Sequence, residues 1–249
     1  MGTVVGVTVV ADDEAVAAVA VDAAYAHIDR WEDRLSEWRP DSAISTLNRT
    51  GGPVTLPPEG TALLRWAAQL RDDTEGRFDI LWRGGPGRAL REEGDAWFLE
   101  EGPIDLGGML KGFLNDRAAE VLLASGFEDF LIDAAGDLLA HGDAERGKGW
   151  VVEVPGGDRP LRARLRNEAL STSGTRAQPD HVHDARDGSP IPGDPLVTVI
   201  APTGTSADGL ATAILAGAPV SLAPAYGAVA VRQVEGTIER SAGARRRLR

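Results

Sequence analysis

Two oxygen-bearing side chains near the carboxyl end of the chain have a spacing that suits a hard metal ion. Asp208 and Thr212 lie four residues apart in an apolar segment whose pattern predicts a helix over 208–215. Residues at this spacing share one face of a helix, and a carboxylate with a hydroxyl can bind a cation such as Mg²⁺. In the alternative interpretation, Asp208 caps the helix and the Thr212 hydroxyl bonds to the backbone.

A glycine pair far upstream is the second candidate for chemistry. Asp105 is followed by Gly107, Gly108 and Lys111, at the start of a predicted helix over 109–125. Paired glycines allow backbone groups to approach a ligand closely, and Lys111 could reach a phosphate oxygen. The residue order is neither a P-loop nor a dinucleotide fingerprint. The alternative is a turn followed by an exposed helix lysine.

The third candidate combines hydroxyl groups with histidines. Thr172-Ser173-Gly174 precedes His181 and His183, two histidines that would lie on one face of a strand. A histidine metal site would need a third nitrogen or thiolate ligand, and none lies nearby in sequence. We favour a single histidine that accepts a proton near a hydroxyl nucleophile, and we place His183 in a polar surface loop. A Gly-x-Ser-x-Gly motif, typical of many serine hydrolases, is absent.

The elements that position these residues follow from the spacing of apolar side chains. Ala24, Ile28, Trp31 and Leu35 are spaced four, three and four apart within 14–38, which predicts a long amphipathic helix. Further helices are predicted over 42–48 and 59–72, a hairpin around 96–99, and strands over 3–10, 130–132, 150–154, 161–165 and 196–200. Mixed elements with hairpin-like neighbours favour an α+β fold, formed as a single unit over 1–249.

Composition excludes several functional classes. The 249 residues include 38 acidic and 26 basic side chains, for a net charge of −12, which disfavours binding to the nucleic-acid backbone. Cysteine is absent, so disulfides, thiolate catalysis and cysteine zinc sites are excluded. Pro219 and Pro224 interrupt the most apolar stretch, 213–231, so no membrane span is predicted. The start of the chain has no basic region before its apolar run, and we therefore expect a cytoplasmic protein.

In their order and in their residues, these motifs resemble those of the FAD:protein FMN transferase family, also called the ApbE family. Seven collinear segments, over nearly the whole chain, carry the resemblance: Met1-Gly2-Thr3, 35–48, Gly76-Arg77-Phe78-Asp79, 104–113, Thr172-Ser173-Gly174, 181–188 and 208–213. The resemblance implies a T-fold-like α+β fold of largely antiparallel sheets flanked by helices. It also implies an FAD site between the two halves of the fold.

The resemblance also implies roles for individual positions. Those matching FAD contacts are Met1, Trp38, Asp105, Lys111 and Val182, and Trp38 stands where the family usually has a tyrosine that stacks on flavin or adenine. The matching Mg²⁺ ligands are the Gly108 carbonyl and the side chains of Asp208 and Thr212. His181 matches the proposed general base, and Lys111 is placed to stabilise the pyrophosphate or the leaving AMP.

The activity implied by the resemblance is Mg²⁺-dependent transfer of FMN from FAD to a threonine or serine hydroxyl of an acceptor flavoprotein, with release of AMP. Two alternatives use the same site. Water in place of the hydroxyl would make the protein an FAD pyrophosphatase that releases FMN and AMP. The second alternative is an FAD-binding protein that does not catalyse transfer. Two departures from the family favour considering it: Ala135 replaces a family glycine, and the segment between Asp79 and Asp105 is shorter than the family's.

Overall fold

The helices lie close to where the apolar spacing places them. The structure is a computed structural model that describes residues 3–84, 88–145, 147–155, 160–176 and 182–248. Its α-helices are α1 (Glu14–Leu35), α2 (Ala43–Thr50), α3 (Pro58–Asp73), α4 (Leu110–Ala124), α5 (Gly204–Leu215) and α6 (Ala244–Arg247), with a 3-10 helix over Val220–Tyr226. Across the described residues, none of the helices has both the length and the apolar character needed to span a bilayer.

Half of the strands form one long antiparallel sheet. The strands are β1 (Val5–Val9), β2 (Val54–Thr55), β3 (Leu90–Glu93), β4 (Ala96–Leu99), β5 (Phe130–Ala134), β6 (Asp137–His141), β7 (Trp150–Val154), β8 (Leu161–Leu165), β9 (Glu168–Gly174), β10 (His183–Asp184), β11 (Ser189–Pro190), β12 (Leu196–Ala201), β13 (Val229–Val234) and β14 (Thr237–Arg240). The seven-stranded sheet has the order β1-β5-β6-β9-β12-β13-β14, and every neighbouring pair is antiparallel. Smaller sheets are formed by β2-β4-β3, by β7-β8 and by β10-β11.

Short polar side chains start the first two helices. The carboxylate of Asp13 accepts hydrogen bonds from two backbone N–H groups in the first turn of α1, and the Ser42 hydroxyl accepts one from Ser45 N at 2.9 Å in α2. Such caps satisfy N–H groups that the helix itself leaves without partners. Gly51, at a φ of 75°, ends α2 in the left-handed conformation that glycine adopts without strain.

The large sheet has a hydrophobic core on each face. Leu139 and Val199 belong to the core formed with α1, α4 and α5, whereas Leu138 and Ile200 belong to the core formed with the β7-β8 hairpin and α6. Alternate residues of a strand point to opposite faces of its sheet, so these strands are apolar on both sides. The resulting three layers confirm the predicted α+β architecture.

Helices α4 and α5 are joined by a reciprocal pair of caps. Asp208 of α5 accepts a hydrogen bond at 3.0 Å from Gly112 N in the first turn of α4. Asp116 of α4 accepts hydrogen bonds from Gly204 N at 2.6 Å and Thr205 N at 2.9 Å in the first turn of α5. Each helix therefore supplies a carboxylate to the amino end of the other, where negative charge is also favoured by the helix dipole.

The start of α5 corrects the prediction of a helix over 208–215. The helix begins at Gly204, after Thr203, whose hydroxyl accepts a hydrogen bond from Ser206 N at 3.2 Å. Asp208 therefore lies in the second turn, and the alternative in which it caps its own helix is wrong. Its position four residues before Thr212 within one helix is as predicted.

Close packing of two glycines at this helix crossing predicts an unusual response to alanine. A Cβ added to Gly112 would lie 2.0 Å from Gly204 O. Alanine normally stabilises a helix interior relative to glycine by about 1 kcal/mol, but Gly112→Ala is expected to lower the free energy of unfolding by about 3 kcal/mol through overpacking. Urea unfolding measures the change.

A glycine with open surroundings is the matched control. A Cβ on Gly6, in the exposed edge strand β1, would have Asp133 O at 4.0 Å as its nearest neighbour. Gly6→Ala is therefore expected to change the free energy of unfolding by less than about 1 kcal/mol. Similar losses in the two variants would contradict the steric argument for the α4–α5 crossing.

Candidate functional site

A cleft of about 690 Å³ opens at the amino end of α4, beside polar residues of the large sheet. Six of the predicted site residues line it: Trp38, Asp105, Gly108, Lys111, Val182 and Thr212. Asp208 is buried, with 1% of its surface exposed, and contacts the cleft residue Lys111. Met1 and His181 lie outside the described residues. The cleft is within the size range of small-molecule sites.

The glycine bend lies directly against the middle of α5. A Cβ added to Gly108 would lie 2.8 Å from Thr212 Cγ2 and 3.3 Å from Thr212 Oγ1, so only glycine allows this approach without displacing the threonine. The Thr212 hydroxyl is also 3.5 Å from the Ser173 hydroxyl of β9. The structure thus brings together two sequence segments that the helix-face argument and the glycine pair identify separately.

The Asp208 carboxylate uses its two oxygens differently. Oδ2 accepts the hydrogen bond from Gly112 N, whereas Oδ1 lies 3.6 Å from Lys111 Nζ. One oxygen is therefore fixed by the backbone of α4, and the other is directed at a cation. This arrangement holds the carboxylate in a single orientation beside Thr212.

Lys111 forms an ion-pair bridge between two carboxylates. Its Nζ lies 3.1 Å from Asp137 Oδ2, in addition to its contact with Asp208, and Asp137 Oδ1 accepts a hydrogen bond from the Ser171 hydroxyl. The negative charge of Asp208 raises the pKa of Lys111. Burial, and then the charge of Asp208, raise the pKa of Asp137 to about 6, although Lys111 opposes this shift. The alternative of an exposed helix lysine is wrong, because Lys111 is held by both carboxylates.

Asp105 is fully engaged by groups that surround the glycine bend. Its Oδ1 accepts a hydrogen bond from Gly107 N at 2.8 Å, and its Oδ2 accepts one from Trp82 Nε1 at 2.9 Å. The guanidinium of Arg83 lies 2.9 Å from the same Oδ2 and 3.2 Å from a carboxylate oxygen of Glu37. In this structure, the Asp105 side chain therefore positions the bend.

His183 lies in the cleft, which corrects the prediction of a polar surface loop. Its ring stacks on Trp82 with the ring centroids 4.4 Å apart and the planes inclined by 14°. Its Nδ1 is buried and has no hydrogen-bond partner among the described residues. The pairing of His183 with Pro190 in the β10-β11 sheet gives this segment a regular backbone, which the polar sequence did not indicate.

Trp38 and Val182 differ in their exposure within the same cleft. Trp38 is 77% exposed and presents a large aromatic surface, whereas Val182 is half-buried and packs against the core formed with α1, α4 and α5. Exposed aromatic surface of this size is suited to stacking on a planar ring. The structure brings both residues to the cleft and leaves their roles as predictions.

Trp82 both donates a hydrogen bond to Asp105 and stacks on His183, and one substitution can separate the two contributions. Trp82→Phe keeps an aromatic ring beside His183 but removes the Nε1–H donor from a charged acceptor. We expect the free energy of unfolding to fall by about 2 kcal/mol, measured by urea titration. Trp97→Phe is the control, because Trp97 Nε1 donates to the neutral Thr61 hydroxyl at 3.3 Å. A loss of less than about 0.5 kcal/mol in Trp82→Phe would contradict the role assigned to the Trp82 donor.

The chemistry of the predicted metal ligands fits a small hard cation. Asp208 supplies a carboxylate, Thr212 a hydroxyl one turn away, and the Gly108 backbone lies in contact with Thr212; Mg²⁺ prefers such oxygen ligands. Within the described ranges, no group of three or more histidine, cysteine, aspartate or glutamate side chains could hold a metal ion. A cation held by these predicted ligands would be bound by one carboxylate together with neutral oxygens.

Asp137, Trp82 and Arg83 are cleft residues that sequence reasoning did not select. Asp137 is buried and follows a turn in which Ala135 and Gly136 both have positive φ angles. The similarity of Ala135-Gly136-Asp137 to a Gly-Gly-Asp motif of the family was the available signal for Asp137. The sequence around Trp82 and Arg83 has no comparable periodicity.

The fold and the cleft define a mixed α+β protein whose long antiparallel sheet and crossed helices surround a site rich in paired carboxylates. Residues 1–84 and 88–224 match the model of the ApbE family. The chain therefore belongs to the ApbE family.

Comparisons with individual proteins agree with this membership. The FAD:protein FMN transferase of Haemophilus influenzae is 26% identical over 233 residues, which cover 73% of this chain and 67% of the relative. The ApbE protein of Thermotoga maritima aligns with a TM-score of 0.86 at 23% identity, covering 100% of this chain and 96% of that chain. The apo form of the Pseudomonas stutzeri flavinyl transferase ApbE gives a TM-score of 0.84 at 24% identity, covering 100% and 95%. These structural matches confirm the predicted fold class.

Proposed function

We propose that this protein is a flavin transferase that moves FMN from FAD to a threonine or serine hydroxyl of an acceptor flavoprotein and releases AMP. Membership of the ApbE family supports this proposal, as does the similarity to a relative named FAD:protein FMN transferase. The residues that the proposal needs come from widely separated parts of the chain.

The observation that carries the proposal is the convergence of α4 and α5 at one cleft. Lys111 extends from the first turn of α4 and contacts Asp208, while Gly108 packs against Thr212 one turn further along α5. A cation, a carboxylate, a hydroxyl and an exposed backbone bend are thereby placed together. Such a set suits a ligand that carries a pyrophosphate group.

Each cleft residue has a specific task in this proposal. Lys111 binds oxygens of the FAD pyrophosphate, and Asp105 positions the glycine bend beside it. Trp38 stacks on a planar ring of FAD, and Val182 contributes apolar surface to the pocket. Mg²⁺, when bound by Asp208, Thr212 and the Gly108 carbonyl, supplies charge neutralisation at the pyrophosphate.

The proposed reaction is one displacement at phosphorus. The acceptor hydroxyl oxygen forms a bond to the phosphorus on the FMN side of FAD, and the bond from that phosphorus to the bridging oxygen breaks. AMP leaves with the bridging oxygen, and FMN stays joined to the acceptor as a phosphoester. His181 accepts the hydroxyl proton, which is the work of a general base.

One incubation distinguishes the three activities that the cleft could support. The protein is mixed with FAD, MgCl₂ and a purified apo-flavoprotein domain whose flavin-accepting side chain is a threonine. Flavin fluorescence on the denatured acceptor and chromatography of free nucleotides are then measured. We expect covalently labelled acceptor and an equal amount of AMP.

The other outcomes would overturn the proposal. Free FMN with AMP, and no labelled acceptor, would identify a pyrophosphatase, and unchanged FAD that stays bound to the protein would identify a binding protein. The matched control is the same acceptor with valine in place of its threonine, which should remain unlabelled. Addition of EDTA should also prevent labelling if the reaction needs a divalent cation.

A further inference from the structure

The ammonium group of Lys111 occupies the position that a cation would take between two buried carboxylates. Asp137 and Asp208 are 5% and 1% exposed, and each has an oxygen within 3.6 Å of Lys111 Nζ. Both carboxylates also have a neutral hydrogen-bond donor, the Ser171 hydroxyl for Asp137 and Gly112 N for Asp208.

The charges at this position require a counterion. Two buried carboxylates repel each other strongly, because their interaction is weakly screened away from water. Lys111 places one positive charge between them, and Asp137 Oδ2 has no hydrogen bond from any other described residue. Removal of one partner from a buried ion pair destabilises a protein strongly, since it leaves charge without compensation.

We infer that Lys111 is the resident counterion of Asp137 and Asp208, which keeps the cleft formed without a metal, and that a divalent cation replaces its contact with Asp208. This inference deepens the proposed function and rests on Asp208 as a metal ligand. It gives Lys111 two successive partners, first the carboxylates and then the phosphate oxygens of the ligand. The ammonium and the divalent cation therefore compete for the same carboxylate.

Removal of the lysine charge should make stability depend on Mg²⁺. Without metal, in EDTA, Lys111→Met is expected to melt about 10 °C below the wild type, because two carboxylates lose their counterion. MgCl₂ alone should restore most of this loss, whereas the wild type should change little. Calorimetric titration with MgCl₂ should show about tenfold tighter binding to Lys111→Met than to the wild type, because the competing charge is gone.

The other lysine of the chain provides the matched control. Lys148 pairs with Glu145 at the surface, and its side chain is 65% exposed. Lys148→Met should melt close to the wild type in EDTA and show the wild-type response to MgCl₂, because exposed ion pairs contribute little.

A double variant tests the same inference if Lys111→Met does not fold. Adding Asp137→Asn removes one of the two negative charges, so Lys111→Met/Asp137→Asn should melt well above Lys111→Met in EDTA, or fold where the single variant does not. A double variant no more stable than the single variant would overturn the inference. So would a Lys111→Met protein that melts with the wild type, or one that gains no more from MgCl₂ than the wild type does.

These measurements are independent of flavin and acceptor. If the wild type labels an acceptor but Lys111→Met shows no specific recovery with MgCl₂, the counterion role is wrong and the proposed function stands. If Lys111→Met recovers with MgCl₂ but the wild type labels no acceptor under any condition, the counterion role stands and flavin transfer is wrong.

Discussion

Asp208→Asn is expected to reduce flavin transfer by about 10²–10³-fold, because the proposed metal site loses its only carboxylate. Asparagine keeps a side-chain oxygen that can accept the hydrogen bond from Gly112 N, so the amino end of α4 remains capped. Alanine would be a poorer choice, since it would remove this cap and leave Lys111 with one partner. The measurement is the rate of acceptor labelling at several MgCl₂ concentrations.

Asp116→Asn is the matched control for the Asp208 variant. Asp116 is a half-buried carboxylate that likewise caps the opposite helix, through Gly204 N and Thr205 N. It is not among the residues that line the cleft. We expect Asp116→Asn to lower stability while transfer falls much less than in Asp208→Asn. Equal losses in both variants would assign the effect to helix packing, and full activity of Asp208→Asn would contradict the metal role.

His181→Ala is expected to slow transfer by about 10²–10⁴-fold, because the acceptor hydroxyl loses its general base. Binding of FAD should change only a few-fold, since the base acts on the acceptor hydroxyl. Transfer is measured under single-turnover conditions with saturating FAD, and FAD affinity is measured by quenching of its fluorescence.

His183→Ala is the control for the loss of a neighbouring histidine. His183 stacks on Trp82 in the cleft, so its removal should weaken FAD binding more than it slows transfer at saturating FAD. Equal losses of binding and transfer in His181→Ala would make His181 a binding residue. If His183→Ala reduces the rate at saturating FAD more than His181→Ala does, His183 is the general base and the assignment to His181 is wrong.

The helices were predictable because their signals are local. Helix α1 follows from an apolar stripe that includes Ile28 and Trp31, and its start follows from an aspartate before the stripe. The start of α5 was missed because the cap is Thr203, five residues before Asp208, and the intervening residues are small and only weakly periodic.

The missed strands show where local patterns are insufficient. β9 contains Thr172-Ser173-Gly174, which has the composition of a loop, yet it lies between β6 and β12 in the centre of the sheet. Its neighbours supply its hydrogen bonds and burial, and propensity is commonly overridden by such tertiary context. β6 and β13 were also missed, because their short apolar runs have no distinctive period and become strands through their neighbours in the sheet.

The site was predictable only in part for a related reason. The spacing of Asp208 and Thr212 on one helix face is local information, and their proximity to Gly108 followed from the family resemblance. The ion pair of Lys111 with Asp137 joins residues of α4 and β6, and no spacing rule connects them. The stacking of His183 on Trp82 likewise depends on a contact between distant segments.

The reciprocal caps between α4 and α5 limit the motions available to this wall of the cleft. The first turn of a helix ordinarily frays easily, because its N–H groups have no partners within the helix. Here Gly112 is held by Asp208, while Gly204 and Thr205 are held by Asp116. Unfolding of either first turn removes a hydrogen-bond acceptor from the other, so local unfolding of these two turns is suppressed. These capping hydrogen bonds are therefore lost together, when the two helices part cooperatively in subglobal or global unfolding.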